Sequence, residues 1–193
     1  MNIDKTIDES IAAIASLREL KPQIEAAVAL MTDALRSGGK ILACGNGGSA
    51  ADGAHFTTEF LCRFVDNRRA LPAISLTCDG SFLTATANDF GYDYVFARQI
   101  EGLGKKDDVL VAITTSGNSP NVKRALEAAR ECGMKSVALL GRDGGATAGI
   151  ADVEIMVPGS ATARIQEAHK VVIHLLCGGV EEQLFPELYL DHC

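Results

Sequence analysis

Five short, nearly unbroken apolar runs punctuate this chain, each separated from the next by a segment of helical character. They are KILACG (Lys40 to Gly45), AISLT (Ala73 to Thr77), DVLVAIT (Asp108 to Thr114), SVALLG (Ser136 to Gly141) and VEIMV (Val153 to Val157). A strand wetted on one face alternates apolar and polar residues, whereas a strand covered on both faces has no reason to. Apolar strands alternating with helices therefore predict a parallel, five-stranded sheet sandwiched between helices, an α/β domain of three layers.

The first forty residues depart from this rhythm. Ile3, Ile7, Ile11, Ile14 and Leu17 recur at helical spacing, and Pro22 suits the opening of a second helix that runs to about Leu35 before RSGGK stops it. The pattern predicts one domain, with an N-terminal helical arm over residues 1–38 and an α/β core over 39–193. Thr162 to about Leu184 reads as a single long helix. Its stretch VVIHLLCGGV is apolar almost all round, which calls for burial on several sides and suggests packing against another subunit.

Composition narrows the function. With 18 basic against 25 acidic residues the formal charge is −7, which argues against binding nucleic acid through bulk positive charge. No run reaches the roughly 18–20 apolar residues that span a bilayer. MNIDKTIDES has no basic stretch leading into an apolar block, so no secretory signal is visible. The six cysteines are scattered without a CxxC pair, which favours free, buried or half-buried thiols in a reducing cytoplasm over a disulfide framework or zinc ribbon. Cys193, the last residue, reads as exposed.

Ligands of parallel sheets bind where strands deliver their carboxyl ends, and two such ends here carry anion-binding chemistry. After the first run comes Gly45-Asn46-Gly47-Gly48-Ser49, whose glycines allow close backbone approach and whose Ser49 adds a hydroxyl at a helix start. After the third comes Thr114-Thr115-Ser116-Gly117-Asn118-Ser119-Pro120, with four hydroxyls at a helix N-terminus. Ser119-Pro120 also fits an ordinary helix cap. Neither loop has the GxGxxG or GxxxxGK[ST] spacing, so no nucleotide is expected, and the pair together points to a phosphate.

Two helices carry the remaining chemistry. His55 and Glu59 stand four apart on the helix after the first loop, presenting an imidazole and a carboxylate to one point as a metal pair or an acid–base pair requires. On the last helix, His174 interrupts an apolar run in which an unpaired imidazole is costly to bury. Gln166 and His174 are eight residues apart, about 12 Å along a straight helix, so a shared site is permitted without being favoured. His169 reads as an ordinary exposed side chain and His192 as a tail residue.

GNGGSAADGAHFTTEF, ANDFGYD, TTSGNSPNV, GRDGG and ARIQEAHKVVIH follow the order and approximate spacing of the sugar isomerase (SIS) domain family. The chain resembles that family over nearly its whole length, within the branch acting on seven-carbon sugar phosphates. The resemblance implies a doubly wound, flavodoxin-like sheet and a homotetramer with active sites at subunit interfaces. It implies isomerisation of D-sedoheptulose 7-phosphate to D-glycero-D-manno-heptose 7-phosphate, the first step toward the heptose of bacterial surface glycans. It further implies zinc, one ion per subunit, at His55, Glu59, Gln166 and His174, with Glu59 and His174 as catalytic base and acid working on opposite sides of the substrate. Substrate contacts carried over are Asn46, Gly47, Gly48, Ser49, Glu59, Asn88, Asp89, Thr114, Thr115, Ser116, Ser119 and Gln166, with Asp52 and Arg63 as weaker neighbours.

Thr114 stands where many members have Ser, and Ala163 where some place an acid. A sister group binds DnaA to promote replication initiation and is similar in sequence, including the tail Leu184-Phe185-Pro186. It lacks the carboxylate and histidine found here at Glu59 and His174, which favours an enzyme over a binding module.

Overall fold

In the computed structural model, which describes residues 2–189, all five apolar runs are strands of one parallel sheet. β1 is Ile41–Gly45, β2 Ala73–Ser75, β3 Val109–Thr114, β4 Lys135–Gly141 and β5 Val153–Val157, in the order β2-β1-β3-β4-β5. The readings for His192 and Cys193 lie outside the described residues. β2 is shorter than its sequence run: its last ladder bond runs from the Leu76 N–H to Ala43 O at 2.9 Å, and the Ser75 and Thr77 hydroxyls, 2.8 Å apart, close a turn there.

The helices are α1 (Ile3–Ala15), α2 (Lys21–Arg36), α3 (Gly48–Leu61), α4 (Gly80–Phe90), α5 (Ala97–Leu103), α6 (Pro120–Glu131) and α7 (Thr162–Leu184). Their starts follow local chemistry. The Asn2 side chain accepts from Lys5 N to open α1, Asp79 accepts from Phe82 N to open α4, and prolines occupy the first turns of α2 and α6.

Every residue of β1 and β3 is buried, as continuous apolar runs require. Alternation along the strands distributes side chains to two cores. Ile41, Ala43, Val109, Val111 and Ile113 face α2, α3 and α7 together with Phe56 and Phe60. Leu42, Cys44, Leu110 and Ala112 face α5 and α6 with Phe96 and Val122. The Cys44 thiol is pushed up to about 12 by burial, which makes it a small core residue rather than a nucleophile. Cys177 is also buried, but Cys62 and Cys78 are exposed, contrary to expectation. They lie at the end of α3 and in the turn after β2, where the backbone runs over the surface.

The arm packs on its own chain through Ala13 and Leu17 and leaves Ile3, Ile7, Ile11 and Ile14 exposed. α7 likewise buries Val172, Ile173, Leu176, Cys177 and Val180 but leaves Leu175 47% exposed. No helix among the described residues is long and apolar enough to cross a membrane.

α3 and α7 are tied together beyond their apolar contacts. Arg68, in the segment after α3, donates from Nε to Glu181 of α7 at 2.7 Å and from its other nitrogens to the carbonyls of Glu59 and Phe60. The pair is almost wholly buried, at 3% and 1% exposure, and Glu181 also accepts from the N–H groups of Phe64 and Val65. Removing one partner of a buried pair leaves a charge without compensation. Arg68→Met should therefore lower unfolding stability in urea by about 3 kcal/mol, while breaking the exposed Lys123–Glu127 pair should cost less than about 1 kcal/mol.

Candidate active site

In the strand order β2-β1-β3-β4-β5 the chain reverses direction between β1 and β3. Gly45 pairs with Ile113 at their carboxyl ends, so the two loops read as anion sites emerge side by side, at the crevice where doubly wound sheets bind ligands. The loops are stitched together by amides. Asn46 Nδ2 donates to Asn121 Oδ1 at 2.8 Å, Asn121 Nδ2 donates to Asn46 Oδ1 at 2.9 Å, and the Tyr92 hydroxyl donates to the same Asn46 oxygen at 3.1 Å. The Asn46 side chain is thus largely spent on holding the crevice in shape, with one N–H remaining.

The hydroxyls of the second loop divide in the same way. Thr114 is buried, and its Oγ1 accepts from Gly117 N at 3.2 Å and lies 3.3 Å from Ser119 Oγ. Its task is to fold the loop. Gly117 has φ +66°, and a Cβ there would overlap the backbone of Gly144, so glycine is required. Ser119 occupies the N-cap position of α6 but its side chain makes no capping bond, leaving its hydroxyl, with those of Thr115 and Ser116, at the helix N-terminus.

Behind the loops α3 crosses α7. α3 contributes Asp52, His55 and Glu59, and α7 contributes Gln166, Lys170 and His174 at four-residue intervals, one helix face toward another. Glu59 Oε1 lies 2.7 Å from His55 Nε2, and the His174 ring meets the His55 ring edge-on with centroids 5.2 Å apart. Gln166 Nε2 donates to Asp52 Oδ2 at 3.3 Å, and a Cβ at residue 48 would overlap the Gln166 amide. Lys170 Nζ lies 2.6 Å from Asp52 Oδ1 and 3.1 Å from His55 Nδ1.

One chain therefore brings together Asp52, His55, Glu59, Gln166 and His174, and Glu59 and His174, the residues expected as base and acid, both flank His55. Asn88 and Asp89 bond to each other on the exposed end of α4, and Arg63 donates to Val65 O; no hydrogen bond or ion pair joins these three to the cluster among the described residues. Sequence reasoning missed Lys170, Asn121 and Arg68. Lys170 was within reach, since it falls midway between Gln166 and His174 on the same helical stripe.

His169 is the clearest reversal. It is fully buried, with Nε2 2.9 Å from Leu140 O at the end of β4, because α7 turns this face, rather than solvent, toward the sheet. Burial lowers its pKa below the ordinary 6.5, against the opposing effects of the Leu140 carbonyl and Asp52.

A scan of family models matches the SIS domain over residues 7–141. The chain belongs to the SIS (sugar isomerase) domain family. It is 54% identical to the phosphoheptose isomerase of Geobacter sp. (strain M21) over 167 residues, 86% of this chain and 87% of that one. It is 50% identical to the phosphoheptose isomerase of Shewanella frigidimarina, covering 96% of each. The solved phosphoheptose isomerase GmhA of Neisseria gonorrhoeae superposes with a TM-score of 0.87 at 45% identity, covering 93% of this chain and 97% of that one.

The buried imidazole has a consequence for stability. The unfolded chain takes up a proton at His169 below the ordinary value near 6.5, while the folded protein resists doing so until a lower pH. Stability is therefore lost as pH falls through that window. His169→Gln, which keeps a donor for Leu140 O, should reduce the loss between pH 7.5 and 5.5 by up to about 1.4 kcal/mol per pH unit, read from urea midpoints.

Proposed function

We propose that this protein is a phosphoheptose isomerase, interconverting D-sedoheptulose 7-phosphate and D-glycero-D-manno-heptose 7-phosphate. The observation that carries the reading is the juxtaposition, in one crevice, of a hydroxyl-lined helix N-terminus with the His55–Glu59–His174 cluster. The relatives bear the name of this enzyme, and the replication-partner alternative gains nothing from them.

Aldose–ketose isomerisation moves a proton between adjacent carbons through an enediol, so it needs a base at carbon, an acid at oxygen and a fixed substrate. The phosphate sits on Thr115, Ser116, Ser119 and the N–H groups opening α6, which need no lysine. The polar end of the sugar then reaches the α3–α7 seam. Glu59 takes the proton from C1 of the ketose and returns it to C2, while His174 handles the proton traffic between the carbonyl and hydroxyl oxygens. His55 holds Glu59 Oε1, and Oε2 makes no hydrogen bond among the described residues.

The donor set of two imidazoles, a carboxylate and an amide fits zinc in chemistry. As placed, His55 and Glu59 converge, and no group of three His, Cys, Asp or Glu is gathered for a metal among the described residues. His55, Glu59, Gln166 and His174 are the residues that would hold the ion, one per subunit, and a bound zinc polarises a carbonyl as a Lewis acid.

A homotetramer with interfacial sites also belongs to this proposal. It is supported by a groove of about 1030 Å³ between α1, α2 and α7, lined by Ile11, Ile14, Val28, Val171 and Leu175, and by the exposed isoleucine stripe of α1. His174 precedes Leu175 on α7, so the proposed chemistry would lie near that apolar face. A cytoplasmic location and an early role in making surface-glycan heptose complete the reading.

Glu59→Gln and His174→Gln should each lower kcat about 10²–10⁴-fold in a coupled assay with D-sedoheptulose 7-phosphate, with unchanged circular dichroism. Full activity in either variant would remove that residue from the chemistry. Ser116→Ala combined with Ser119→Ala should raise KM about tenfold or more with a smaller effect on kcat; an unchanged KM would move the phosphate elsewhere.

A further inference from the structure

Lys170 has no part in the chemistry so far, yet it reaches from α7 to both Asp52 and His55 of α3 at the site. Its ammonium is held 2.6 Å from Asp52 Oδ1, and Asp52 is 3% exposed and depends on it for neutralisation. The same nitrogen lies 3.1 Å from His55 Nδ1. An ammonium has donors only, so Nδ1 of His55 must accept and its proton must sit on Nε2. That N–H points at Glu59 Oε1, 2.7 Å away, an acceptor that completes the chain Asp52–Lys170–His55–Glu59.

This arrangement conflicts with a metal at His55 whichever ring nitrogen is used. A ligand bond through Nδ1 needs the lone pair that Lys170 occupies. A ligand bond through Nε2 moves the proton to Nδ1, where its N–H would face the ammonium, donor against donor. Metal-bound histidines ordinarily give their second N–H to a carboxylate, a carbonyl or water; here that position is filled by a cation. We propose that Lys170 is a positioning residue that latches His55 in the Nε2–H tautomer against Glu59 and thereby opposes metal binding at His55. Loading requires the Lys170–His55 contact to open. This inference rests on the zinc reading above only for its second half, since the latch belongs to the metal-free protein.

Two measurements test it. Zinc affinity by competition with a chromophoric chelator should be tighter in Lys170→Met than in the wild type by about tenfold or more, the size of the loss, with the sign reversed, that follows removal of a partner supporting a metal-bound histidine. Equal or weaker binding would overturn the opposition to metal while leaving the zinc site standing. The ¹⁵N shifts of His55 in zinc-free wild-type protein should show a protonated Nε2 and a bare, hydrogen-bonded Nδ1. A protonated Nδ1 would overturn the latch, whatever the folding of the variant. Zinc bound by neither protein would remove the metal reading, and with it the second half of the proposal.

Discussion

Asp52 is a carboxylate almost out of contact with water, and a charge so placed must be matched or it destabilises the fold. It is matched entirely from α7, by Lys170 and Gln166. That one requirement fixes which face of α7 meets α3 and at what height. Once Gln166 and Lys170 are opposite Asp52, the four-residue stripe puts His174 against His55, and His55 against Glu59. Farther along the same seam, Arg68 and Glu181 repeat the arrangement and secure the end of α3. The geometry of the candidate site is thus a consequence of one buried ion pair, Arg68–Glu181, and one buried carboxylate, Asp52, matched by a partly exposed lysine, with apolar packing between them.

The loops obey a different economy. A protein of charge −7 that holds a phosphate without a lysine cluster must use partial charges, and helix N-termini supply them. The crevice is shaped by amide and hydroxyl groups whose bonds are internal: Asn46 to Asn121, Tyr92 to Asn46, Thr114 to Gly117. What is left for a ligand is the outer hydroxyls, one Asn46 N–H and the backbone N–H groups at the helix start. Glycine at 48 and 117 matters because a Cβ would overlap Gln166 in the first case and Gly144 in the second.

The sheet was legible because burial on both faces writes itself into composition: β5 begins and ends where its apolar run does, and the other strands differ by one or two residues. His55 and Glu59 were legible for a related reason, since helical spacing alone puts them on one face. What could not be read was long-range. Whether His169 or His174 faces the sheet depends on the rotation of α7, which Asp52 sets from more than a hundred residues away. Asn46 reads as a ligand contact from its place in a glycine-rich loop, and nothing local reveals that Asn121 claims most of its side chain. Lys170 was overlooked because lysines on helices usually face water, and only the buried Asp52 draws this one inward.

The central claim is spatial: phosphate on the loop before α6, and the reacting carbons at the α3–α7 seam. A crystal structure of the Glu59→Gln variant with D-sedoheptulose 7-phosphate tests it most directly. The expected density has the phosphate within hydrogen-bond distance of Ser116 and Ser119, and C1 and C2 between residue 59 and His174. Sugar density bound away from the seam, with phosphate on other residues, would contradict it.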